Sequence, residues 1–384
     1  MRRLPLWAWA ARDLTRRPFE TALSAVALFA LSLVIAMPLL VTQGIETTTL
    51  ALLSKGPSMV LRRIDTGGWA PIGAGEAMLH ARSVPGVLAA TPRTWGVVNG
   101  PMGPVTIQGT DASLHDSSGW GFPIPGPGEA VVGPGFGHLS PGMTLVLDGA
   151  VQRVLTVRTS LGSEHALVLH DVVLTSLNDA RTLLGLQDGM ASDLAIRVFN
   201  DEEEAALAPD LARAFPYPVR IVTRSGYLAA ARASLVAKKG GFLVLLVPAL
   251  LAMALLGLVQ SRRSGFNSAE AGLCKALGWT TTDLFTRRWF AAIMLAGPAT
   301  ALGLASSFFI VFVADSRWLS RILFEWTSEP PRLSLSTDGA FETLLIAGTL
   351  VMVPWLMGLL LPAMGTASAD PLDLLQGGDE DHEG

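Results

Sequence analysis

The sequence predicts a membrane protein with four transmembrane α-helices, one followed at a distance by three, and a large α+β extracytoplasmic domain between the first and second. Three observations carry this expectation. Four apolar runs, Ala22 to Val41, Gly241 to Val259, Phe290 to Val313 and Leu344 to Met364, contain no Asp, Glu, Lys, Arg or His. Each is long enough to cross a hydrocarbon core, which takes roughly 20 helical residues. About two hundred residues of mixed polarity separate the first run from the second. Basic residues crowd two segments next to the runs: Arg2, Arg3, Arg12, Arg16 and Arg17 before the first, and Arg262, Arg263, Lys275, Arg287 and Arg288 between the second and third. Lys and Arg near a span mark its cytoplasmic side, so both segments are expected inside the cell. Lys238 and Lys239 at the outer mouth of the second span, and the acidic tail, run against that bias without outweighing it.

Taken in order, residues 1–21 are expected to form a cytoplasmic amphipathic helix. Trp7, Ala11 and Leu14 face one way and Arg12 and Arg16 another; Trp7, Arg12, Arg16 and Arg17 are the expected anchors at the membrane surface. Such a helix lies with its apolar face in lipid and its arginines among head groups. The first span covers residues 22–41. A cleaved signal peptide is the other reading of this run, but its apolar core exceeds the usual length of about 7 to 15 residues.

Residues 42–240 form the extracytoplasmic domain. They contain no cysteine, since Cys274 is the only one in the chain, so this domain must bury its own core. Strands are predicted over 59–64, 105–109, 130–133, 144–147, 154–157, 166–174, 194–199 and 219–222, from β-branched residues set off by Gly and Pro. Helices are predicted over 76–83, 178–184 and 202–214, the second stopped by Gly185. Strands concentrate near 110–175, which suggests a β-rich lobe there. At the edges, 45–53 and 225–238 have helical character and are expected to continue the adjoining spans as stalks, the alternative being ordinary linkers. The second span, 241–260, leads into a cytoplasmic loop, 261–289. The third and fourth, 290–313 and 344–364, flank an external loop, 314–343, in which Trp318 and Trp326 recur at helical spacing and serve as interfacial anchors. Residues 365–384 form an acidic cytoplasmic tail.

Composition narrows the chemistry. Half the residues are apolar, 16% are charged, the mean hydropathy is +0.44 and the formal charge is -4, which excludes a nucleic-acid partner. A P-loop needs Gly-Lys-Ser/Thr, and Gly-Lys occurs nowhere, so this chain is not its own P-loop ATPase. No metal site is expected: His165 and His170 are close in sequence but have no Cys pair beside them, and on one strand their odd spacing puts them on opposite faces. No Gly-x-Ser-x-Gly accompanies His170 and Asp171, so the expectation there is a partly exposed strand histidine. The spans hold no ionisable residue to relay protons or bind a cation, so energy for transport must come from another chain.

Three cytoplasmic segments carry motifs. The first is Arg12-Asp13-Leu14-Thr15-Arg16-Arg17-Pro18. The second is Glu270-Ala271-Gly272-Leu273-Cys274-Lys275-Ala276-Leu277-Gly278 followed by Trp279. Its Leu273, Ala276 and Leu277 repeat at i, i+3, i+4, as in a short amphipathic helix ended by Gly278. The third, directly after the last span, holds Asp370, Pro371, Asp373 and Leu375.

Together these resemble the permease subunits of the ABC transporter family that includes MacB, LolC, LolE and FtsX. That family carries Glu-x-Gly-(Ile/Leu)-x-(Lys/Arg)-Ala-(Leu/Ile)-Gly, matched by Glu270, Gly272, Leu273, Lys275, Ala276, Leu277 and Gly278. Its Asp-Pro-x-(Glu/Asp)-x-Leu tail is matched by Asp370, Pro371, Asp373 and Leu375, and its Arg-(Asn/Asp)-Leu-x-Arg-Arg-Pro lead-in by Arg12 to Pro18. The resemblance implies a non-catalytic permease in the bacterial inner membrane, paired with a second copy or a related permease above two copies of a P-loop ATPase. It implies that ATP and magnesium are bound by that ATPase and that no cofactor is held by this chain. Residues 270–278 would dock on the ATPase, with Leu273, Ala276, Leu277 and Trp279 in apolar contact and Glu270 and Lys275 at the charged rim. The expected function is extrusion or release of a lipid, lipoprotein or amphiphile by mechanotransmission, with a periplasmic or lipoprotein partner and membrane lipids as further contacts. Two other readings stay open: an FtsX-like signalling permease that activates an outside enzyme, and a membrane-anchored sensor with no ATPase. Ala25, Ala27, Ala30 and Ser32 on the first span are a candidate surface for pairing with the second permease.

Overall fold

The computed structural model describes residues 6–16, 18–110, 123–136, 139–162, 165–263, 273–314, 321 and 335–368. Glu270, Gly272, Arg17, Trp318, Trp326, Asp370, Pro371, Asp373 and Leu375 lie outside them. The chain divides into two compact units: residues 1–44, 238–314 and 337–384 form one, and residues 45–237 and 315–336 the other.

The first unit is helical. Among the described residues, three helices are long and apolar enough to cross a membrane: Pro18–Ser54, Thr281–Val313 and Ala340–Leu361. The predicted second span falls in the 40-residue helix Arg224–Arg263, whose described apolar stretch is the shorter Leu246–Ser261. Ser24, Leu28, Ser32 and Ile35 are buried on one stripe of the Pro18–Ser54 helix, while Phe19, Leu23, Val26 and Val34 are exposed on another. A 3.6-residue period sorts these two sets, one for helix packing and one for lipid. The core they join contains Met253, Leu295, Ala296, Val351 and Trp355.

Small residues decide how closely the helices approach, as expected where no hydrophobic gradient drives association. A Cβ on Gly303 would sit 2.7 Å from the Ser32 Cβ and 2.8 Å from the Phe29 carbonyl oxygen. Ser32 is therefore enclosed within this chain, which removes it from the predicted pairing surface with a second copy; Ala30 on the same helix is exposed.

The second unit is α+β. Its strands are β1 (Met59–Asp65), β2 (Gly68–Ala70), β3 (Ile72–Gly73), β4 (Val87–Gly100), β5 (Gly103–Thr110), β6 (Glu129–Val132), β7 (Thr144–Asp148), β8 (Gln152–Ser160), β9 (Val172–Ser176), β10 (Met190–Ala191), β11 (Asp193–Val198) and β12 (Val219–Thr223). The main sheet runs β12-β1-β11-β4-β5-β9-β6-β8-β7, and β7 returns to β4 through Asn99 and Asp148. Six strands thus close on themselves, around Val98, Ile107, Leu145, Leu147, Leu155, Val157 and Val173. Closure removes the exposed edges that an open sheet of this length would present. The other end stays open as β12-β1-β11-β4, with the helices Ala74–Arg82 and Glu204–Ala214 on one face above Met59, Leu61, Leu194 and Ile196.

β4, the longest strand, serves both ends: its first half pairs with β11 and its second with β5. Sequence patterning misses it, because Pro92, Gly96 and Gly100 interrupt the run as turn residues would. Here Gly96 has a packing role. A Cβ there would lie 2.5 Å from the Leu184 Cδ2, so glycine lets the helix Leu177–Leu184 settle against the strand. That helix opens on Ser176, whose hydroxyl accepts from the Asp179 amide and donates to its carboxylate, and it ends on left-handed Gly185 at φ 66°. Ser176→Ala is expected to cost about 1 kcal/mol, read as a lowered thermal midpoint.

One predicted strand is half wrong. Of residues 166–174, Ala166–Leu169 form a short helix, and the strand begins only at Val172. His165 and His170 flank that helix, so neither is a strand histidine, and His170 is buried. Burial lowers its pKa, opposed by the neighbouring Asp171 carboxylate.

Candidate functional site

The described motif residues between the second and third predicted spans form one tight feature. Residues 273–276 make a helical turn, the Leu277 amide donates to the Leu273 carbonyl at 3.0 Å, and the Trp279 amide donates to the Cys274 carbonyl at 3.0 Å. Gly278 ends it at φ +86°, a left-handed conformation that glycine adopts without the Cβ penalty. Thr280 then opens the next helix with a reciprocal capping box: its side chain accepts from the Asp283 amide and the Asp283 carboxylate accepts from the Thr280 amide. Two caps thus hold a single turn at a fixed point before the third span.

That turn puts apolar surface outward. Leu273 is 57% exposed and Leu277 73% exposed, and Ala276 is exposed beside them. Lys275 is intermediate. Two leucines are thus held open on a short, capped turn. Trp279 behaves differently from its expected place among the outward apolar residues. It is half-buried, with its ring edge-on to Trp9 at 6.1 Å and 89°.

The amino-terminal helix Leu6–Arg16 supplies that Trp9 and packs against the helix beginning at Thr281. Its inward residues are Ala10, fully buried, and Leu14, whereas Arg12, Arg16 and Trp7, 55% exposed, remain outside. Trp7 therefore sits with the arginines rather than opposite them. Arg287, 4% exposed, lies 5.7 Å from the Trp9 ring, and Arg288 donates to the Ser261 carbonyl at 2.6 Å and to its hydroxyl at 3.1 Å. On this side of the membrane unit, Ser24 also donates to Gln260 at 2.7 Å. From sequence, Arg287 and Arg288 read only as markers of membrane topology. Their adjacency to an apolar run and to Trp289 is the available sign that they are packed, Arg288 on the last turn of the helix Arg224–Arg263 and Arg287 by the Trp9 ring.

A second junction lies where two long helices meet the sheet. The Tyr227 hydroxyl donates to the carbonyls of Leu53, at 3.2 Å, and Pro57, at 3.1 Å. Arg224 donates to the Gly56 carbonyl at 2.9 Å and to the Asp201 carboxylate at 2.7 Å. Burial pushes the Tyr227 phenol above its ordinary pKa, so it stays a neutral donor. The end of helix Pro18–Ser54 and the start of helix Arg224–Arg263 are thereby tied side by side. Among the described residues no group of three or more His, Cys, Asp or Glu side chains is arranged to hold a metal.

No family model matches the sequence. No curated protein matches it either. Among solved structures, the extracellular domain of the noncanonic ABC-type transporter YknZ from Gram-positive bacteria is 12% identical, with a TM-score of 0.32, over 43% of this chain and 99% of that one. The periplasmic region of MacB from Actinobacillus actinomycetemcomitans is 8% identical, with a TM-score of 0.33, over 45% of this chain and 92% of that one. At these scores the likenesses carry no argument about function, which rests on the residues themselves.

Proposed function

We propose that this chain is the permease subunit of an ABC transporter in the bacterial inner membrane, driven by a separate ATPase that binds ATP and magnesium. The observation that supports it most is the capped turn at 273–278, which exposes Leu273 and Leu277 between two membrane helices. ATP-driven movement of the ATPase pair is received there and passed through the helices Pro18–Ser54 and Arg224–Arg263, each of which contributes residues to both units. The Tyr227 and Arg224 contacts make the outer ends of these two helices move as a pair. Work is then done on the α+β domain, which favours extrusion of a lipid, lipoprotein or amphiphile outside the bilayer over passage through a pore. Such a subunit is non-catalytic and acts with a second permease.

Leu277→Asp tests the docking step. A charge placed in the centre of a desolvated contact is expected to abolish co-purification with the ATPase, while membrane insertion and yield stay unchanged because Leu277 is already exposed. Undiminished co-purification overturns the docking assignment.

A further inference from the structure

The open end of the sheet has a second face, opposite its two helices. Strand register places Val60, Arg62 and Ile64 of β1 on it, beside Arg220 and Val222 of β12, Asp193 and Ala195 of β11, and Thr91 and Arg93 of β4. Of these only Asp193 is buried, and the rest range from half-buried to exposed. Trp69 of β2 pairs with Ile64 and stands on the same face, 55% exposed.

The charges there are unbalanced in a specific way. Arg62 and Arg220 are direct cross-strand partners, a like-charge pairing that is unfavourable by itself. Both are drawn to aromatic faces: Arg62 lies 4.9 Å from the Trp69 ring and 4.6 Å from the Trp95 ring, and Arg220 lies 5.8 Å from Trp69. Asp193, the one carboxylate paired with these arginines among the described residues, is committed elsewhere. It accepts from Arg93 at 2.7 and 2.8 Å and from the Trp95 indole at 2.7 Å, leaving Arg62 at 3.5 Å. Arg220 has no carboxylate within ion-pair distance among the described residues. Two guanidinium groups, Arg62 and Arg93, thus share one carboxylate while Arg220 has none among the described residues, beside an exposed indole and an apolar floor of Val60, Ala195 and Val222.

We propose that this face binds the phosphate headgroup of an anionic amphiphile, with Arg62 and Arg220 on the phosphate and Trp69 and the apolar floor under the start of its chain. Planar guanidinium forks match phosphate oxygens, and stacking on tryptophan holds Arg62 in place before the ligand arrives. An indole that is half in water suits a ligand that is polar at one end and apolar at the other. A free inorganic anion would use the arginines but leave Trp69 idle. The proposal names a substrate class for the permease reading above and rests on it for its biological meaning, but not for its test.

The test is calorimetric titration of the full chain in phosphatidylcholine nanodiscs with dihexanoyl phosphatidic acid, inorganic phosphate and dihexanoyl phosphatidylcholine. Saturable binding of the phosphatidic acid is expected, weaker by about tenfold or more in both Arg220→Gln and Trp69→Ala. Both positions are exposed, so their thermal midpoints are expected to match the parent. Binding unchanged in either variant overturns the site. Inorganic phosphate binding as tightly as the phosphatidic acid overturns the amphiphile, and phosphatidylcholine binding equally well overturns the role of net charge. Loss of ATPase co-purification has no bearing on these titrations, so the permease reading and this site fail separately.

Discussion

Gly358→Val is expected to leave little folded protein in the membrane, because glycine is what lets the helices Arg224–Arg263 and Ala340–Ser368 touch through their backbones. A Cβ at 358 would lie 2.2 Å from the Ala254 carbonyl oxygen and 3.1 Å from the Leu258 amide nitrogen. The contact is reciprocal, since a Cβ on Gly257 would lie 2.4 Å from the Trp355 carbonyl oxygen. Backbone cannot step aside as a side-chain tip can, so the helices must separate and Trp355, fully buried, must lose its packing. A cost of about 3 kcal/mol or more follows, at the upper end for overpacked sites. Thermal unfolding of detergent-solubilised protein, followed by loss of monodisperse material, reads it out. Gly297→Ala is the control: its nearest neighbour, the Ile293 Cγ2, is 4.0 Å away, so the added methyl is expected to change the midpoint little. If both substitutions behave alike, close helix approach is not what holds this unit together.

How much of this was legible in the sequence depends on which forces act locally. The apolar runs, the Gly185 helix stop and the strands at Met59, Thr144 and Val219 were readable because period, cap and β-branching are encoded within a few residues. The closing of the β-rich lobe was not, since the pairing of Asn99 with Asp148 joins positions with no common local signal. β4 was missed for the opposite reason: its glycines were read as turn formers when at least Gly96 is there to admit a helix. At the 273–278 turn, the outward leucines followed from spacing, but the inward turn of Trp279 did not. It depends on Trp9, which lies far away in sequence and becomes a neighbour only when the amino-terminal helix packs. The arginine and tryptophan face was equally hidden. Arg62 carries no local signal of its role, and only the register with β12 and β2 shows that it belongs to a cluster.

Asp193→Asn is expected to destabilise the α+β unit by about 3 to 5 kcal/mol, the range for breaking a buried ion pair from one side. Asp193 is fully buried and accepts from both Arg93 and Trp95. An asparagine keeps the shape but removes the charge, and its amide nitrogen, a donor, must face one set of these donors. One indole or guanidinium hydrogen is then left without its acceptor against a fully buried side chain, and the Arg93 charge loses its counterion. The effect should appear in limited proteolysis of the full chain, as faster cleavage between residues 59 and 223 with the membrane helices still protected. Arg213→Ala sets the baseline. Its partner Asp210 is 2.8 Å away, but both side chains are more than half exposed, at 77% and 53%, so water and salt already screen the pair and no change in proteolysis is expected. The contrast follows from burial, since the two ion pairs have nearly equal lengths. Cleavage of the Asp193→Asn protein at the parent rate would mean that Arg93 and Trp95 find other acceptors, and that the strand pairing of β4 with β11 rests on its backbone ladder and on the apolar face beneath it.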